Sequence, residues 1–91
     1  MEGRVRRTVY DQLLLATESY LGPPSKRFID RQILSHLDKN PARIMEDDVK
    51  ILEDWLVASI SLLINDQAIV SRYTHDLSKI YEKENHTRAN A

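Results

Sequence analysis

EDDVKILEDWLVASISLLI, residues 46–64, decides how the rest of the chain is read. It opens on a cluster of acids and closes on an almost uninterrupted apolar run. At 100° per residue, Val49, Leu52, Leu56, Ile60, Leu63 and Ile64 share one face. Ile51, Trp55, Ser59 and Leu62 widen that face sideways, leaving a narrow strip of Lys50, Asp54, Val57 and Ser61 with Ala58 at its edge. A helix apolar round more than half its circumference needs several neighbours to cover it. The stretch is therefore expected to be the buried, central third helix of a small bundle.

Working outward from residue 46, the corner before this helix contains Asn40-Pro41, followed by Ile44-Met45. With Met45 as N-cap, Ile44 and Val49 form a hydrophobic staple and Asp48 stands where a capping box places its acid. The three acids of the first turn suit the positive end of the helix dipole. Met45 has no side-chain oxygen, so Met45→Thr is expected to stabilise the fold. Asn40 can take a left-handed cap or cap a short turn starting at Pro41.

Before that corner, the second helix is expected at 24–39, with Phe28, Ile29, Gln32, Ile33, His36 and Leu37 on one face. Gln32 and His36 thus form an inward polar pair inside an apolar stripe. Such a pair can read a ligand or sense pH, but its commoner role is structural, satisfied by backbone carbonyls. Arg27, Arg31, Leu34 and Asp38 point outward, and Lys26 and Asp30 are spaced as an ion pair. Gly22-Pro23-Pro24 makes a tight corner with a first helix at 5–21, whose stripe is Val9, Tyr10, Leu13, Leu14, Thr17, Tyr20 and Leu21, with Leu15 outside it. Beyond the third helix, Asp66 is a plausible N-cap for a fourth at 67–83, burying Ile69, Val70, Tyr73, Leu77, Ile80 and Tyr81. The expected organisation is a frayed 1–4, one helical domain over 5–83 and a disordered polar tail at 84–91. No repeat, strand pattern or low-complexity tract interrupts an all-α, compact four-helix bundle with short, mostly antiparallel connections.

Ninety-one residues suffice for one core that buries roughly 60–70% of the unfolded surface. The chain has no cysteine, which removes disulfides and thiolate metal sites and fits a reducing compartment. MEGRVRR is not followed by the apolar segment of a secretory signal, and no apolar run is long enough to span a bilayer. The expectation is a cytoplasmic protein without membrane contact. Net charge is −1, divided as +3 over residues 1–43 and −4 over residues 44–91. That asymmetry can mark a nucleic-acid face built from Arg4, Arg6, Arg7, Lys26, Arg27 and Arg31, but the near-neutral total disfavours it against a solvated basic surface.

No enzymatic motif is present, and two glycines are too few for a phosphate cradle. No cofactor is expected. His75-Asp76, on the exposed side of the fourth helix, invites comparison with the phospho-accepting helix of sensor histidine kinases. The proline usual a few residues on is absent, as is the small residue that stand-alone phosphotransfer domains carry near the histidine. The feature that points furthest is the excess of apolar positions: Leu15, Leu34 and the part of the third helix around Ile51, Trp55 and Ala58. A contiguous exposed patch there would mark a protein partner or a homodimer seam, with Leu34, Trp55, Arg27 and Arg31 as contact candidates.

The run from Tyr20 to Leu56 carries Leu21-Gly22-Pro23, Phe28, Arg31-Gln32, His36-Leu37, Pro41, Asp47-Asp48 and Leu52 with Trp55. In this it resembles an uncharacterised small helical domain of prokaryotic proteins, found alone or beside signalling modules. The similarity covers about residues 13–64 and continues loosely into the fourth helix. Pro24 and Met45 depart from the pattern, where a non-proline and a hydroxyl cap are usual. The resemblance implies an adaptor-like or regulatory role and no known chemistry. Together these readings give a non-enzymatic interaction module, with nucleic-acid binding and phosphotransfer at His75 as the alternatives.

Overall fold

A computed structural model describes residues 8–90, with side chains described for residues 8–82. Four α-helices follow in order: α1 (Val9–Leu21), α2 (Ser25–His36), α3 (Glu46–Leu63) and α4 (Gln67–Asn90). One turn of 3₁₀ helix, Pro41–Arg43, stands between α2 and α3. Each helix packs on the next, and α1 closes the bundle by packing on α4.

The helix ends show how the sequence sets the corners. Thr8 caps α1, its Oγ1 accepting from the Asp11 amide at 3.0 Å, so the helix begins at Val9 rather than near Val5. Gly22, at φ +73°, takes the left-handed conformation that ends α1, and its amide donates to the Glu18 carbonyl. α2 stops at His36, short of the expected Lys39, because the backbone turns left-handed at Asp38 (φ +53°). Asn40 then caps the 3₁₀ turn by accepting from the Ala42 amide at 3.0 Å. Asp66 does the same for α4, accepting from the Ala68 and Ile69 amides. α4 continues to Asn90, past the expected end at Lys83 and through most of the segment expected to be a disordered tail. The expected frayed segment 1–4 and Ala91 lie outside the described residues.

At the start of α3, Met45 holds the extended N-cap conformation but its side chain makes no cap hydrogen bond. Asp48 reaches back to the Met45 amide at 2.9 Å and also binds Lys39 Nζ at 2.8 Å. Its carboxylate is buried, and burial is tolerable because both contacts come from donors. Ile44 and Val49 are both in the core, as a staple requires.

The core is Leu13, Ile29, Ile33, Ile44, Val49, Leu52, Leu56, Ile60, Tyr73, Leu77 and Ile80, drawn from every helix. α3 gives it four of these residues, more than any other helix. All four tyrosines tie one helix to another. Tyr10 donates to Asp30 at 2.6 Å (α1 to α2), Tyr20 to Asp76 at 2.5 Å (α1 to α4) and Tyr81 to Glu53 at 2.6 Å (α4 to α3). Tyr73, fully buried, meets Thr17 Oγ1 at 2.9 Å (α4 to α1). Burial and the Asp76 carboxylate push the Tyr20 hydroxyl up to about 12, burial does so for Tyr73, and the Glu53 hydrogen bond with burial does so for Tyr81. These phenols are held in their neutral, donating form.

Candidate functional site: an exposed apolar stripe on α3

The core of α3 is one arc of its circumference, and beside that arc lies a second apolar stripe that the described residues leave at least half exposed at each large side chain. Ile51 is 56% exposed, Trp55 51% and Leu62 88%, with Ala58 exposed between the last two. Their spacing of four, three and four places all four within about 60° of one another around the helix. Asp47, Asp54 and Ser61 run along the outer flank, all exposed. α2 adjoins the other flank, where His36 lies parallel to Trp55, ring centroids 4.1 Å apart and planes inclined by 10°. Leu63, expected on the buried face, is 63% exposed because α3 ends there and the chain leaves the helix at Ile64.

This stack corrects the expected inward pair. His36 is exposed and turned against Trp55, because it ends α2 where no further turn covers it. Gln32 is half-buried, and its Oε1 is buried with no hydrogen-bond partner among the described residues; the Ser25 Oγ, on the same side of α2, is in the same state. Backbone carbonyls could serve only the N–H groups of such a pair; the Gln32 oxygen, which can only accept, needs a donor.

Leu34, 63% exposed, is not part of the stripe. Two residues turn a helix by about 200°, so Leu34 leaves α2 on the side away from His36 and Trp55. It shares that outer side with the exposed Arg27 and Arg31, which with Pro24 and Phe28 line a shallow hollow of about 300 Å³. The expected contact candidates therefore occupy two surfaces, Trp55 on α3 and Leu34 with the two arginines on α2. Lys26 and Asp30 form the expected ion pair at 2.9 Å. Burial alone would raise the Asp30 carboxyl, but its hydrogen bonds from Tyr10 and Lys26 outweigh it and hold the group below the usual range. Arg4, Arg6 and Arg7 lie outside the described residues.

His75 is exposed on α4, and the Asp76 carboxylate beside it is engaged by Tyr20. Among the described residues, no group of three or more His, Asp or Glu side chains is placed to hold a metal ion, and no helix is long and apolar enough to cross a membrane.

The class defined by this architecture is an all-α four-helix bundle whose third helix serves the core with one face and carries an apolar stripe on another. No protein-family model, curated protein or solved structure matches the chain.

Proposed function

We propose that this protein is a non-enzymatic interaction module, with an adaptor or regulatory role, that engages a protein partner through the α3 stripe. One observation carries the reading: Ile51, Trp55 and Leu62 are each more than half exposed on one helix face. Scattered exposed leucines need no explanation, but an aligned patch anchored by a tryptophan has the composition of a binding hot spot. The His36 stack limits the rotamers of Trp55 before any partner arrives, which lowers the entropy cost of binding. The rim of Asp47, Asp54 and Ser61 is polar, as interface rims are.

The test is site-specific photo-crosslinking in cells. A photoreactive side chain is placed at position 62 and, in a control, at the exposed position Asp11 on α1. The reading predicts covalent adducts of defined mass from position 62 that position 11 does not give. No adduct from position 62, or the same adducts from both positions, would remove it.

A further inference from the structure

We infer that the occupant of the stripe is a second copy of this chain, with two α3 helices pairing antiparallel so that Trp55 packs on Ala58 and Ile51 on Leu62 of the second copy. The inference rests on the reading of the stripe as an interaction surface and names its partner.

The register follows from the sequence of the stripe. Spacing of four, three and four is the seam spacing of paired helices. An antiparallel pair related by a two-fold axis is self-complementary only if each residue meets a fitting one in reverse order. With the axis between Leu56 and Val57, Trp55 falls opposite Ala58 and Ile51 opposite Leu62. The largest side chain then faces the smallest at the centre, which lets the helix axes approach, while two aliphatic side chains close each end. The His36 stack holds one face of the indole and leaves its outer side for Ala58.

Charge selects the same direction. The first half of α3 holds Glu46, Asp47, Asp48, Glu53 and Asp54 against the lone Lys50, while Leu56–Leu63 holds no charge. Antiparallel pairing sets each acidic half against an uncharged half. Parallel pairing would set the two acidic halves side by side, where like charges repel. On the outer flank the same register brings Asp54 beside Ser61 of the second copy, whose hydroxyl can donate to the carboxylate. A net charge of −1 per chain adds little repulsion between the copies.

Because the chain has no cysteine, engineered disulfides report the register directly. In the proposed pair, the two copies of position 51 lie about 16 Å apart along the axis, as do positions 51 and 62 of one helix, both beyond disulfide reach of about 7 Å between Cα atoms. Under mild oxidation the double variant Ile51→Cys/Leu62→Cys therefore gives a covalent dimer, and neither single variant does. Light scattering gives twice the 10.6 kDa chain mass for the unmodified protein and the single mass for Trp55→Glu with its helical circular dichroism intact. A protein that stays monomeric at every concentration, and whose double variant forms no dimer, overturns the inference. Dimerisation of Ile51→Cys alone overturns the antiparallel register, and a Trp55→Glu dimer overturns the seam. If the purified protein is monomeric while position 62 still gives cellular adducts of a mass other than two chains, the interaction reading stands and the second copy falls.

Discussion

Removing the acceptor from Tyr73 tests the polar contact at the centre of the bundle. Tyr73 is fully buried, and its hydroxyl lies 2.9 Å from Thr17 Oγ1. Thr17 has one hydroxyl hydrogen, and it is directed to the Leu13 carbonyl at 2.9 Å, so the phenol must be the donor between α4 and α1. Thr17→Val keeps the side-chain shape but leaves a buried phenol hydrogen with no partner, a cost of about 1–3 kcal/mol. Tyr73→Phe removes the donor while Thr17 keeps its bond to Leu13, so only one net hydrogen bond is lost, about 1 kcal/mol. In the double variant no orphan remains, and its cost should return to that of Tyr73→Phe alone. The two substitutions are thus expected to be non-additive by about 1–3 kcal/mol, the double variant being more stable than the sum of the singles predicts. Urea denaturation of the four proteins, with midpoints compared at constant slope, gives the coupling. Additive costs would mean that the hydroxyls do not pair, and the packing of α1 on α4 described above would be wrong.

Met45→Thr supplies the missing cap oxygen at a position whose side chain is 59% exposed, so little packing is lost. A gain of about 1 kcal/mol is expected, read as a rise in Tm of about 4–8 °C for a domain this size; a fall would refute the cap assignment. The phenols of Tyr20, Tyr73 and Tyr81 are raised from 10.0 to about 12 in the fold. A raised group stabilises fully below its unfolded value, so stability should hold up to pH 10 and drain away as pH climbs through about 12. Tyrosinate absorbance that titrates at pH 10 in folded protein would contradict this. His36→Ala should leave stability within about 1 kcal/mol, since both stacked rings are exposed, yet make Trp55 fluorescence more open to a soluble quencher. Unchanged quenching would mean that the rings do not stack in solution.

The bundle was legible in the sequence because periodicity and punctuation agreed. Gly22, Asn40 and Asp66 each stand where a corner needs a left-handed residue or a side-chain acceptor, and each serves as read. The buried faces of α1, α3 and α4 follow their apolar spacing, from Leu13 to Leu77. A helical projection turns His36 inward because it treats every turn as equally covered, whereas the last turn of α2 lies open beside α3. Leu63, at the end of α3, is exposed for the same reason. Asp38 gave no signal as the left-handed stop, since Asn40 two residues later is the better candidate by residue type. For the candidate site, the excess of apolar positions on α3 was visible, but which of them the neighbours leave bare depends on where α2 and α4 lie. The sequence likewise could not show that Leu34 and Trp55 belong to different surfaces, because that depends on how α2 is turned against α3.

The proposed interaction role requires that another protein chain cover the α3 stripe. Photo-crosslinking from position 62 in cells tests it most directly, since Leu62 is the most exposed residue of the stripe. Adducts of discrete mass are expected, and they should vanish when Trp55→Glu is added to the same chain. Absence of adducts from position 62, or adducts that survive Trp55→Glu unchanged, would contradict it.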